Sequence, residues 1–189
     1  MDSLLVATTN EHKVREIAHI LKGIKVEGAG LKVRENGTTF ESNAIKKAKA
    51  VVKKFKCPAI ADDSGLMVNC LGGKPGIRSA RFATPPTPEN LCRKLLKKMD
   101  RCKARGAKFV CAIALAHPSG KVKVFKGICH GRIIKEMKGR HGFGYDPVFR
   151  PCGYKKTFAE MPSAAKNRIS HRALALKKLK AYLGTTPAR

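Results

Sequence analysis

Two aspartates stand side by side in Ala61-Asp62-Asp63-Ser64-Gly65-Leu66, after the short apolar run Pro58 to Ala61. Neighbouring side chains of an extended segment point to opposite faces, so at least one of the pair should face a cleft or a metal. Carboxylates in that setting suit a hard cation such as Mg²⁺, or the activation of a water. The same residues also read as a polar junction where a strand ends in a turn capped by Asp and Ser.

Other segments carry reactive types. Thr8-Thr9-Asn10-Glu11-His12-Lys13 follows an apolar strand pattern and opens a helix, which gathers backbone N–H groups and the helix dipole into an anion site that Lys13 could reinforce. It matches neither nucleotide-loop fingerprint, and alone it reads equally as an ordinary N-cap. Glu35 precedes a helix bearing Lys46 and Lys47, either of which could meet a phosphate or lie on the surface. In Gly142-Phe143-Gly144-Tyr145-Asp146-Pro147, flanking glycines leave Phe143 open for stacking and Asp146 free to accept from a base edge. The competing account is a turn around a core phenylalanine. Lys166-Asn167-Arg168-Ile169-Ser170-His171-Arg172 offers cationic donors, a helix cap at Ser170 and a histidine able to donate to a carbonyl.

The elements that must position these groups alternate. Residues 3–8 read as a buried strand, followed by a helix carrying Val14, Ile17, Ala18 and Leu21. Gly28 and Gly30 punctuate a second extended segment. Thr38 or Thr39 caps a helix with Phe40, Ala44, Ile45, Ala48 and Val52 on one face, and the Asp62-Asp63 strand comes next. A helix over about Glu89 to Met99 follows the proline-rich loop, then a hairpin of Phe109 to Ala116 and Val122 to Ile128. A last helix begins after Ser170, and the tail at 185–189 is expected to fray. Nothing divides the chain, so a single α/β domain over 1–184, a mixed sheet flanked by helices, is expected.

Composition narrows the class. With 43% hydrophobic and 28% charged residues the chain is globular. No apolar run approaches a membrane span, and the first residues do not resemble a signal peptide, so a cytoplasmic protein is expected. The seven cysteines are widely spaced without a C-x-x-C, which signals neither a zinc site nor a disulfide framework; Cys111 reads as a small core residue. The net charge of +27, from 40 Lys plus Arg against 13 Asp plus Glu, favours a polyanionic partner. The lysines are spread along the chain, however, and aromatics for base stacking are few.

Taken together and in order, the motifs resemble the inosine triphosphate pyrophosphatase family. The resemblance rests on Ala7-Thr8-Thr9-Asn10 with Lys13, Thr39-Phe40 with Asn43-Ala44 and Lys47-Ala48, and Ala61 to Leu66. It continues through Leu71-Gly72-Gly73, Pro75-Gly76, Ser79-Ala80-Arg81, Gly142 to Pro147 and Ser170-His171-Arg172, covering residues 6 to 183. It implies an elongated, twisted mixed β-sheet flanked by helices, folded in two lobes around a central cleft, and a homodimer. It implies Mg²⁺-dependent hydrolysis of ITP, dITP and XTP to the monophosphate and pyrophosphate. By the same resemblance Thr8, Thr9, Asn10 and Lys13 hold phosphates, Asp63 is general base and metal ligand, and Glu35 is a metal ligand. Lys47 and Lys166 contact the triphosphate. Ser64, Phe143, Gly144, Tyr145, Asp146, His171 and Arg172 hold the nucleotide and read its base. The related Maf-type pyrophosphatases fit less well, given the Ser-His-Arg and Gly-Phe-Gly-Tyr-Asp elements.

Two features depart from the family. Its Phe-x-Glu-Asn-Ala is here Phe40-Glu41-Ser42-Asn43-Ala44, and Glu41, one residue early, is turned by about 100° on a helix and should not substitute for the glutamate. The basic charge leaves an alternative, a catalytically weakened relative that binds nucleic acid.

Overall fold

A computed structural model describes residues 3–185. Thr185 closes the last helix, and the remainder of the expected tail, 186–189, lies outside the described residues. Among the described residues six strands form one sheet in the order β2-β1-β3-β4-β5-β6. They are β1 (Ser3–Val6), β2 (Lys25–Gly28), β3 (Ala59–Val68), β4 (Gly106–Ala116), β5 (Val122–Ile133) and β6 (Phe149–Pro151). The sheet is mixed, as expected. β1 runs parallel to β2 and β3, with Leu5 opposite Ala59, whereas β5 and β6 are antiparallel, with Arg132 opposite Arg150. The helices are α1 (Glu11–Ile20), α2 (Phe40–Phe55), α3 (Pro88–Lys98), α4 (Ser163–Ile169) and α5 (His171–Thr185).

The chain divides into two compact units, to both of which β3, β4 and β5 contribute. The first comprises Met1–Asp63, Cys111–Gly127 and His171–Arg189. Its core joins Leu4 and Val6 of β1, Ile17 of α1, Ile60 of β3, Ile113 of β4, Phe125 of β5, and Leu176 and Leu179 of α5. β5 passes so close to the start of α5 that a Cβ at Gly127 would lie 2.0 Å from the His171 carbonyl oxygen, so only glycine fits there. The second unit comprises Ser64–Val110 and Ile128–Ser170, and its core is built on the ring cluster of Phe109, Phe149 and Phe158.

The structure differs from the sequence reading in four places. β3 does not end at the aspartates but continues to Val68. It lies between β1 and β4 and is buried along almost its whole length, so no solvent face interrupts it. The aspartates are therefore mid-strand. The short helix α4 and the three-residue β6 carried too little periodicity to be seen. Finally, Cys70 and Cys102 are disulfide-bonded within the second unit, with Cα atoms 6.2 Å apart, a pairing that their wide spacing did not signal.

Candidate active site

The first unit gathers seven charged side chains around β3. α2 is started by Thr39, whose hydroxyl accepts from the Ser42 N–H, while the Ser42 hydroxyl accepts from the Thr39 N–H at 3.2 Å. The apolar face of Phe40, Ala44, Ala48 and Val51 fixes the helix against the core. Asn43 and Lys47, four residues apart and so on one face, are carried with it to β3. Asn43 Nδ2 donates to Asp63 Oδ2 at 3.1 Å, and its Oδ1 accepts from the Gly37 N–H at 2.8 Å. The Lys47 ammonium reaches Glu35 Oε1 at 2.8 Å, the Asp62 carbonyl at 2.7 Å and Asp63 Oδ1 at 3.3 Å.

Asp62 takes different partners from Asp63. Its Oδ1 lies 2.8 Å from the Lys13 ammonium, and its Oδ2 accepts from Arg172 Nε at 3.2 Å and Nη2 at 3.0 Å. Arg172 Nη1 donates to Glu16 on α1. Lys13 is placed by the start of α1, where Asn10 Oδ1 accepts from the Lys13 N–H at 3.3 Å and Thr8 Oγ1 from the Asn10 N–H at 3.1 Å.

These surroundings set the charges. Burial alone would raise the Asp62 carboxyl, but Lys13, Arg172 and Lys47 outweigh it and hold its pKa far below the usual range. Burial pushes Asp63 up; Lys47 pulls it back, Glu35 pushes again, and the net shift is upward. Burial also works against the Lys47 charge, yet Asp62, Asp63 and Glu35 keep its pKa above the ordinary lysine value. Cys111, in β4 with its thiol pushed up by burial, is the core residue expected.

Among the described residues no group of three His, Cys, Asp or Glu could hold a metal. Mg²⁺, however, is commonly held by one or two carboxylates together with substrate phosphates and waters. Glu35 and Asp63, which share the Lys47 ammonium, offer that donor chemistry. Glu41 lies 2.6 Å from the Lys126 ammonium.

The second unit builds a separate cluster. The Lys166 ammonium is 2.7 Å from Asp146 Oδ2 and 4.8 Å from the centroid of the Phe143 ring. Asp146 Oδ2 also accepts from the Phe143 N–H at 2.8 Å. The turn closes tightly: Gly142 has φ +80°, and a Cβ there would lie 2.0 Å from Asp146 Oδ2. Tyr145 is buried in the core of this unit and donates to the Ser79 carbonyl at 2.9 Å, while the Gly144 carbonyl accepts from the Cys92 thiol at 3.5 Å. Ser64 is half-buried within the same unit.

The structure thus brings Lys13, Glu35, Lys47, Asp63 and Arg172 into one network, with Thr8 and Asn10 supporting it. Thr9 is exposed in the β1–α1 loop, and His171 is buried at the start of α5. Lys166, expected at a triphosphate, is paired with Asp146, and Arg172, expected at a base, is paired with Asp62 and Glu16. Sequence reasoning assigned no role to Asp62, Asn43 or Glu16. The Asn43–Lys47 spacing was a usable signal for the second, but the Glu16–Arg172 contact joins residues 156 apart and had none.

A mixed α/β fold with a buried cluster of paired cations and carboxylates defines the class, and the comparisons specify it. The Ham1 family model matches residues 4–182. A dITP/XTP pyrophosphatase of Desulforamulus reducens is 46% identical over 93% of this chain and 92% of its own. One from Desulfotalea psychrophila is 43% identical over 94% of this chain and 83% of its own. The structure of a HAM1 protein from Coxiella burnetii superposes with a TM-score of 0.90 at 33% identity, covering 98% of this chain and all of that one. The chain belongs to the Ham1 family.

Proposed function

We propose that this chain hydrolyses non-standard purine nucleoside triphosphates (ITP, dITP and XTP) to the monophosphate and pyrophosphate. The observation that carries this reading is the pair of carboxylates, Glu35 and Asp63, sharing the single ammonium of Lys47. The relatives named dITP/XTP pyrophosphatase support the substrate class. Asp63, whose raised pKa improves a carboxylate as a base, accepts a proton from the attacking water. Asn43 fixes the orientation of that carboxylate through Oδ2. Lys13 and Lys47 exchange carboxylate contacts for phosphate oxygens and offset the charge of the departing pyrophosphate. Mg²⁺, held by Glu35 and Asp63, would supply further positive charge to the phosphates. A hypoxanthine or xanthine carbonyl would suit a donor such as His171, which adenine's amino group would leave unpaired. Phe143, Gly144, Tyr145, Asp146 and Ser64 stand as candidates for holding the nucleotide, and Lys166 for the triphosphate.

Pyrophosphate release from ITP, XTP, ATP and GTP at equal concentration, with and without Mg²⁺, tests the reading. Mg²⁺-dependent release from ITP and XTP alone is the expected result; no release from any of them by folded protein overturns it. We further propose one enzymatic domain over 1–184, a homodimer and a cytoplasmic location. In support of the last, no described helix is long and apolar enough to cross a membrane. The Cys70–Cys102 bond argues the other way, since disulfides are rare in a reducing cytosol.

The net charge of +27 favours nucleic acid as a second partner. Within the first unit Lys178 Nζ donates to the Lys126 carbonyl at 2.8 Å, and Lys123 Nζ lies 4.1 Å from the Tyr182 ring centroid, which places two ammonium groups along β5 and α5. Binding of single-stranded RNA that falls steeply with salt would support this reading, and no affinity at physiological salt would remove it.

A further inference from the structure

The segment that carries Glu35 has neither helix nor strand: residues 29–37 run from β2 toward α2 as irregular chain. Three successive residues of it are nonetheless held by side chains of α2. Glu35 Oε1 accepts from the Lys47 ammonium at 2.8 Å, and Asn36 Oδ1 accepts from the Lys46 ammonium at 2.6 Å. The Gly37 N–H donates to Asn43 Oδ1 at 2.8 Å. The contact at Gly37 is a close approach. A Cβ there would lie 2.6 Å from Asn43 Oδ1 and 2.3 Å from Ser42 Oγ, so a larger residue displaces the side chains that meet it.

Asn43 does more than hold this segment. It is buried, and its amide works at both ends. A backbone N–H can meet only an acceptor, and an ionised carboxylate only a donor. The orientation of the amide is therefore forced: Oδ1 toward Gly37, two residues after Glu35, and Nδ2 toward Asp63 Oδ2 at 3.1 Å. With Oδ2 engaged, Oδ1 is the oxygen that Asp63 turns to the Lys47 ammonium, which Glu35 shares. One amide thus links the backbone beside Glu35 to the carboxylate of Asp63, and it does so from a helix whose own place is fixed by its apolar face.

We propose that Asn43 is a positioning residue that sets Glu35 and Asp63 relative to one another for a shared divalent cation, with Gly37 as the point at which it grips the irregular segment. The proposal rests on the reading of these two carboxylates as metal ligands. Groups that orient metal ligands matter nearly as much as the ligands, and changing one costs on the order of 10- to 100-fold in metal affinity or activity. Here one side chain orients both: Asp63 directly, and Glu35 through the backbone two residues on.

The test compares Asn43→Ala, Gly37→Ala and Glu35→Gln with the wild type, using Mn²⁺ without nucleotide as the probe. Electron paramagnetic resonance of the free ion gives its Kd, and hydrogen exchange gives the protection of the Gly37 amide. Kinetics give the Mg²⁺ concentration for half-maximal ITP hydrolysis, and a thermal melt checks the fold. Gly37→Ala leaves Asn43 in the chain and keeps the test open should Asn43→Ala fold poorly. For Asn43→Ala the expected result is a rise of about tenfold in the Mn²⁺ Kd, a matching rise in the Mg²⁺ requirement and faster exchange at Gly37. Gly37→Ala should raise the Mn²⁺ Kd as well. In a Glu35→Gln background Asn43→Ala should raise that Kd less than in the wild type, because one of the two ligands it places is gone. Fully additive effects would overturn the proposal and leave Asn43 as a support for Asp63 alone. A lower melting temperature with an unaltered Mn²⁺ Kd would overturn it as well, leaving a purely structural tie, and so would a wild type that binds no Mn²⁺. Absence of ITP hydrolysis by the wild type refutes the proposed function instead, and the Mn²⁺ titrations and the Gly37 exchange still decide the role of Asn43.

Discussion

Replacing Lys47 with methionine keeps most of the buried stem and removes the ammonium. Three acceptors then lose a donor: Glu35 Oε1, the Asp62 carbonyl and Asp63 Oδ1. Removing one partner of a buried ion pair costs on the order of 3–5 kcal/mol. The Glu35 side chain is 29% exposed and regains water, which places the expected loss at the low end, about 3 kcal/mol. For a chain of this length that corresponds to a fall of roughly 6–12 °C in Tm. The loss should depend on pH. Lys47 now draws the Asp63 pKa down against burial and Glu35, so without it that pKa rises further. Between the unfolded value of 3.8 and the higher folded value the native state binds more protons than the unfolded one, so stability falls as pH rises through that window. Urea unfolding of Lys47→Met and wild type at pH 5 and pH 8 measures both effects. The penalty should be smaller at pH 5. A penalty below about 1 kcal/mol, or one equal at the two values, refutes the account of Lys47 as the counter-charge of these carboxylates.

Other consequences are as direct. Asp63→Asn should lower kcat for ITP by about 100-fold or more while leaving the fold intact, since the amide cannot accept the proton; a smaller effect in a pyrophosphate-release assay removes Asp63 as base. Ser42→Glu should preserve the start of α2, glutamate being a normal capping-box partner at that position, with a stability change under about 0.5 kcal/mol. If kcat and the Mg²⁺ dependence also stay unchanged, the missing family carboxylate is unimportant here. Asp62 contributes stability that is present above the ordinary value of 3.8 and lost as pH falls below it toward the depressed folded value, so Asp62→Asn should flatten the acid limb of an unfolding profile. Mutating Cys70 and Cys102 together opens a 32-residue separation and should cost on the order of 3 kcal/mol in urea unfolding under oxidising conditions, with no cost when the wild type is reduced.

Residue order alone established the family, because the motifs from Ala7 to Arg172 are local strings that survive without coordinates. It also established the mixed α/β class and most elements: periodicity and caps such as Thr39 are properties of neighbours along the chain. The opposite aims of Asp62 and Asp63 followed from strand alternation, although the strand was read as ending where it in fact passes through the sheet. Only the tertiary structure decided the partners. Lys13 and Asp62 are 49 residues apart, Arg172 and Asp62 are 110 apart, and Lys166 and Asp146 are 20 apart with β6 between them. Which cation meets which carboxylate depends on strand order and on the helix face that packs inward. That is why the buried pairs of Arg172 with Asp62 and of Lys166 with Asp146 had no trace in their motifs. The disulfide obeys the same rule: Cys70 and Cys102 meet because β3 and the end of α3 bring distant backbone within 6.2 Å, a distance that no spacing of cysteines encodes.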